Sequence, residues 1–194
     1  ALIGSAPFML VVNAASRFDS LATLLAAARA APEAVSFGSG GNGSSPHFVA
    51  EAMQQAAGAR MLHVPFRGGA LAMQAVVAGQ VDCSMATVSA AGGQLAAGRL
   101  RALAIAAEAR SPLLPQVPTF AELGLPAVVG GIWAGIALPA ATPAPILAAV
   151  EAATQAALRD EALRRRLEEQ GLEPGALGRE GFATLLRADT ERWG

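Results

Sequence analysis

The segment Gly38-Ser39-Gly40-Gly41-Asn42-Gly43-Ser44-Ser45-Pro46-His47 holds most of the chain's candidate chemistry. Its glycines fit G-x-G-x-x-G, the spacing that lets backbone approach a pyrophosphate. A dinucleotide site also needs a carboxylate about twenty residues on, to hold the ribose. The stretch there reads Arg60-Met61-Leu62-His63-Val64-Pro65-Phe66, with no acid. A Walker-type loop needs Lys after its last glycine; Ser44 stands there, and the chain contains no Lys. Two readings remain. The loop is a plain tight turn, or it is an anion site. In the second, the backbone N–H groups of Gly41, Asn42 and Gly43 and the hydroxyls of Ser44 and Ser45 meet a carboxylate at a helix N-terminus.

Ser45 and His47 also invite a Ser/His hydrolase reading. They lie two positions apart, no G-x-S-x-G elbow surrounds them, and His63 is the only other histidine. His47 either orders the loop or touches a ligand, or it is a satisfied, partly buried side chain. His63 falls in a strand pattern and reads as structural. Two histidines among scattered carboxylates show no metal-ligand spacing, so neither metal nor cofactor is expected. Two further segments resemble the first in design. Phe66-Arg67-Gly68-Gly69 offers an aromatic wall, a cation and two backbone amides ahead of a helix, although Arg67 also reads as a surface charge and Phe66 as packing. Met85–Ser89 offers the hydroxyl of Thr87.

These segments are positioned by a repeated order of strand, Gly- or Ser-bearing loop, and helix. Strands are expected at Phe8–Val12, Val35–Phe37, Met61–Pro65, Val81–Met85 and Leu100–Ala106. Helices are expected at Leu21–Ala31, His47–Ala57 with Ser45 as N-cap, Ala70–Ala78, and from Thr87-Val88-Ser89 to Ala97. The order predicts an α/β domain with a mostly parallel sheet, whose strand ends gather the three loops on one edge. Prolines at 112, 115, 118 and 126 mark connecting structure. One strand, Ile132–Leu138, and three helices, Pro143–Leu158, Glu161–Gln170 and Gly178–Arg192, follow. Residues 131–194 hold too little sheet for a domain of their own.

The 194 residues are 53% hydrophobic and 15% charged, which suits a buried core and excludes a wholly disordered chain. A net charge of −1 gives no electrostatic footprint for nucleic acid or an anionic membrane. The run Arg164-Arg165-Arg166 is balanced by Glu161, Glu168 and Glu169 and reads as a solvated helix face. All 14 basic residues are Arg, so Lys-dependent chemistry is excluded. The single Cys83 lies in an apolar run and reads as core, with no disulfide. No basic n-region opens the chain, and prolines interrupt its most apolar stretch, Trp133–Val150.

The combination resembles the substrate-binding receptors of tripartite tricarboxylate transporters, the Bug family. It is carried by Phe37–His47, by His63-Val64-Pro65-Phe66-Arg67-Gly68-Gly69, by Gly98–Ala104, and by Arg110-Ser111-Pro112-Leu113-Leu114-Pro115-Gln116-Val117-Pro118-Thr119-Phe120. Trp133-Ala134-Gly135 and Pro139–Pro143 continue it. The resemblance implies a type II periplasmic-binding-protein fold, two lobes closing like a Venus flytrap on a small organic acid, without catalysis. It implies delivery to membrane permease subunits and a periplasmic location. On it, residues 5–128 are expected to be a complete second domain, and residues 131–194 the returning part of a first domain whose beginning is absent. A homodimer through the incomplete domain is a further expectation. The implied ligand residues are Gly41, Asn42, Gly43, Ser44, Ser45, His47, Phe66, Arg67, Gly68, Gly69 and Thr87. Phe66 and Arg67 depart from the family's usual Tyr-Lys. Ala86 and Thr87 stand where an acid and Asn are frequent, which argues against an amino-acid ligand. The alternatives are a Ser/His hydrolase, a nucleotide-binding enzyme, or a sensing module of the same fold.

Overall fold

Seven strands and seven helices succeed one another along the chain in a computed structural model that describes residues 1–175 and 177–193. The chain forms two compact units, Pro7–Gly131 and Ala1–Ala6 with Ile132–Gly194.

The larger unit contains most of β1 (Leu2–Asn13), then α1 (Leu21–Ala30), β2 (Ser36–Ser39), α2 (Ser45–Ala57), β3 (Leu62–Pro65), α3 (Gly69–Val77), β4 (Cys83–Thr87), α4 (Val88–Ala96) and β5 (Leu100–Ile105). Its sheet runs in the order β3-β2-β4-β1-β5. β2 pairs in parallel with β3 and with β4, as the helical crossovers between them require. β1 is antiparallel to both β4 and β5. Four of the five strands therefore share one direction and β1 alone opposes them. The strand–helix repeat foretells the shared direction of the four; β1, the first strand of the same repeat, runs against it because it pairs between β4 and β5 and not beside β2.

β1 also begins earlier than the sequence suggests, because Gly4, Ser5 and Pro7 disguise its first half. Burial alternates over Leu2–Pro7, then becomes continuous over Phe8–Val12, where both faces of a central strand are covered. Met9 and Val11 project to one side and pack with Met73, Val76, Val81, Leu100, Ile105 and Val117. The register with β5 shifts between Leu10 and Val11, so Leu103 has no opposite number. Residues 110–130 are tied back to the sheet: Phe120 N–H donates to Ile105 C=O at 3.0 Å, and Ile105 N–H to Pro118 C=O at 2.9 Å. Cys83 is completely buried, and that burial pushes its thiol far above the ordinary range.

The smaller unit holds the first residues of β1, all but the first residue of β6 (Gly131–Gly135), α5 (Ala144–Ala157), α6 (Glu161–Glu169), β7 (Glu173–Pro174) and α7 (Arg179–Trp193). β6 and β7 both pair with β1. α5 and α6 bury no residue, and α7 buries Phe182, whose ring meets Trp133 edge-on at 5.3 Å. Ile132, Trp133, Ile136, Leu138 and Ile146 are exposed. Among the described residues, no helix is long and apolar enough to cross a membrane.

Phe120 is wholly buried in the larger unit. Phe120→Ala should cost about 3–5 kcal/mol, read as a lower urea midpoint by circular dichroism.

Candidate functional site

Parallel strands end on a common edge, and three of the loops at that edge belong to β2, β3 and β4. Gly41 and Thr87 each lie three residues past the paired positions Gly38 and Ser84. The loops after β2 and β3 touch backbone to backbone. A Cβ on Gly40 would stand 3.2 Å from the Gly69 nitrogen, and one on Gly41 would stand 3.6 Å from the Phe66 carbonyl oxygen. Gly41 also has φ +123°, a conformation that L side chains rarely adopt. The structure thus brings Gly41, Phe66, Gly68 and Gly69 together.

The four helices of this unit begin in two ways. α1 is capped by the Ser20 hydroxyl, which accepts from Thr23 N–H, and α4 by the Thr87 hydroxyl, which accepts from Ala90 N–H. α2 and α3 have no side-chain cap. For α2 this corrects the sequence expectation. The N-cap is Ser44, not Ser45, and Pro46 falls at the second helical position. The Ser44 hydroxyl has another use: it donates to Gly41 C=O at 2.7 Å, as does Ser44 N–H at 3.2 Å. Ser45 is exposed at the first helical position. The first-turn N–H groups of a helix have no intrahelical partner, so an uncapped start presents them outward with the positive end of the dipole. The N-cap of α3 is Gly68, with φ +115°. Two open helix termini thus follow neighbouring strands and share a loop contact. Thr87 is buried and partly spent, since its hydroxyl also meets Ser89 Oγ at 3.0 Å.

Ser39, fully buried at the end of β2, holds the loop. Its Oγ accepts from Gly41 N–H at 3.1 Å, lies 3.1 Å from Gly41 C=O, and is hydrogen-bonded to His63 Nε2 at 2.6 Å. Ser39 C=O accepts from Phe66 N–H at 2.9 Å. Sequence reasoning passed over Ser39 as a site residue; its signal was a hydroxyl flanked by glycines at a strand end. The Phe37, His63 and His47 rings form one stack, with centroids 4.7 Å and then 4.1 Å apart. Burial, and secondarily the neighbouring His47, hold His63 below the usual histidine range, while Glu51 opposes the shift. Two imidazolium charges about 4 Å apart would repel by about 4 kcal/mol at a near-surface dielectric, so the stack disfavours charging both rings together.

Of the remaining expected residues, Asn42, Gly43 and Arg67 are exposed. The Phe66 ring packs against the core cluster, with its Cε2 3.3 Å from a Cβ placed on Gly38. Neither imidazole is hydrogen-bonded to Ser45: His63 holds Ser39, and His47 Nδ1 accepts from Gly43 N–H at 3.1 Å. Ser39 and His63 have the spacing of a hydrolytic dyad, but the hydroxyl is sealed from solvent. Among the described residues, no group of three or more His, Cys, Asp or Glu is placed to hold a metal.

This α/β unit carries two open helix termini at one sheet edge, and likeness to known proteins gives its family. Residues 1–194 match the tripartite tricarboxylate transporter family receptor, and the chain belongs to that family. It is 36% identical over 193 residues to a Pseudomonas protein from the tcbD-tcbE intergenic region, covering 99% of this chain and 57% of the relative. It is 30% identical over 192 residues to BugT of Bordetella pertussis, covering 99% and 59%. Its fold matches an R. palustris protein solved with adipate at a TM-score of 0.87 and 28% identity, covering 99% of this chain and 64% of that one. MatC of Rhodopseudomonas palustris with bound malate matches at 0.83 and 30%, covering 100% and 67%. The chain spans a little over half the length of these curated relatives.

Two predictions follow from the geometry. Ser39→Ala leaves the part-buried Gly41 amide and His63 without their partner, and should cost about 1–3 kcal/mol in urea unfolding. His63 binds a proton less readily folded than unfolded. Its contribution to stability is therefore full above about pH 6.5 and is lost as pH falls through its lowered folded value. Urea midpoints should decline between pH 7 and pH 5 in the wild type and decline less in His63→Gln.

Proposed function

We propose that this chain is the ligand-binding portion of a periplasmic receptor that captures a small organic carboxylate and delivers it to the membrane subunits of a tripartite transporter, without catalysis. The observation that carries this reading is the pair of uncapped helices, α2 and α3, whose loops meet at Gly40 and Gly69. Pro46 has no N–H to give, so the donors here are those that remain in the first turn of α2 and those of the first turn of α3. The dipole contributes about 0.3–1 kcal/mol, and each hydrogen bond to a charged group about 1.5–3 kcal/mol. The adipate and malate held by the two solved relatives are the same class of ligand.

In this reading Asn42 and Ser45 offer the donors to the carboxylate, Gly41, Gly43 and Ser44 shape the loop because their N–H groups and the Ser44 hydroxyl are bonded within it, and Gly68, Gly69 and Thr87 lie beside them. His47 orders the loop, Phe66 backs it, and Arg67 supplies a peripheral positive charge. Residues 5–128 are one lobe and residues 131–194 part of the other. Two lobes closing on a hinge would share the contacts, so a single lobe binds weakly. The exposed apolar side chains of the smaller unit support self-association of the chain when nothing else covers them.

Calorimetric titration with adipate and malate tests the reading. Binding should be weak in this chain and at least tenfold tighter in a receptor that includes the length its relatives add. There, Ser45→Ala should weaken it roughly tenfold or more, the equivalent of one charged hydrogen bond. An unchanged affinity in Ser45→Ala with a large loss in Arg67→Ala would make the side-chain cation the anchor and refute the helix-terminus assignment. Uptake by cells lacking the receptor, restored by the wild-type gene, separates transport from sensing.

A further inference from the structure

The hydrogen bond from Gly43 N–H to His47 Nδ1, at 3.1 Å, fixes the state of that ring. Nδ1 must be the bare nitrogen. Nε2 then carries the proton and is turned toward Glu51 Oε1, 3.7 Å away. A second proton has one place to go, Nδ1, where it meets the Gly43 N–H head-on. The resulting cation also lies against the His63 ring, stacked at 4.1 Å.

The charged surroundings of the pair are few. Glu51 on α2 is the carboxylate beside His47. β2 and the loop through Ser44 contain no ionisable side chain. Arg67, beyond β3, is exposed. Asp82, ahead of β4, is held by the N–H and hydroxyl of Ser36 at 2.8 Å each. His63 is kept below the usual histidine range by burial and by its neighbour.

We propose that His47 is a positioning residue that acts as a proton-operated latch on the glycine loop. Neutral, it holds Gly43 and keeps the N–H groups at the start of α2 aimed outward. Protonated at Nδ1, it releases Gly43, and the carboxylate site loses its donor array; this last step rests on the receptor reading above. The sign is diagnostic. An imidazolium beside an anion site, acting by charge alone, would strengthen binding on acidification. A latch weakens it.

The test follows the Gly43 amide by NMR in the ¹⁵N-labelled full chain from pH 8 to pH 5.5. The same titration is run on His47→Asn, which keeps an uncharged acceptor near the Nδ1 position. The wild-type Gly43 resonance should titrate together with the His47 ring proton, and its protection from hydrogen exchange should fall at least tenfold. In His47→Asn both should stay flat. A flat Gly43 in the wild type, or a titration that persists in His47→Asn, overturns the proposal. If His47→Asn does not fold by circular dichroism, the wild-type midpoints decide: coincident values for Gly43 and the His47 ring support the latch, and separate values sink it. Calorimetry with malate and adipate at pH 7.5 and pH 6.0 gives the second arm. Affinity should drop at least threefold more in the wild type than in His47→Asn, and tighter binding at pH 6.0 refutes the latch. If neither acid binds at pH 7.5, the receptor reading fails for those acids, and the Gly43 titration still decides the latch.

Discussion

One hydroxyl, that of Ser39, sets the shape of the loop on which the candidate site depends. It is cut off from water, and a buried polar group without partners is costly, so its bonds are obligatory rather than decorative. It takes the Gly41 N–H, reaches the Gly41 carbonyl and binds His63 across to the neighbouring strand. Gly41 can then occupy its left-handed conformation, and its carbonyl collects the Ser44 N–H and hydroxyl. With Ser44 turned back into the loop, nothing is left to cap α2. The open helix start thus results from a chain of local satisfactions that begins at the end of β2.

The sheet makes that local arrangement useful. Because β2, β3 and β4 run the same way, their loops emerge on one edge, and close packing of glycine backbone brings the loops ahead of two helix termini into contact. A side chain at Gly40 would hold the two loops apart. α4 is the exception on that edge, since Thr87 spends its hydroxyl on its own helix. The candidate edge is therefore asymmetric: two helix starts without a side-chain cap and one capped by Thr87.

Much of this was legible from residue order. Gly and Ser after each apolar run marked the loops, and Gly58, Gly79 and Gly98 marked helix ends, because few other residues tolerate the conformations found there. What escaped had physical reasons. The reversed direction of β1 is decided by which strands it pairs with, and pairing is not written in a strand's own sequence. β7 is two residues long, too short for any periodicity. The cap of α2 slipped from Ser45 to Ser44 because both serines satisfy the pattern and only the bond to Gly41 separates them. The stacking of His47 on His63 joins residues sixteen positions apart; each alone reads as an ordinary histidine.

The burial of Cys83 has a consequence for the life of the chain outside a reducing environment. Disulfide exchange proceeds through the thiolate, and this sulfur is both inaccessible and strongly disfavoured as an anion. A folded copy therefore has no reactive sulfur to offer an oxidase, a glutathione molecule or a second copy of itself. Vulnerability is confined to the interval before β4 is packed between β2 and β1. Folding itself acts as the protecting group, and a reporter cysteine placed on the surface could be labelled selectively in a chain that still carries its native one.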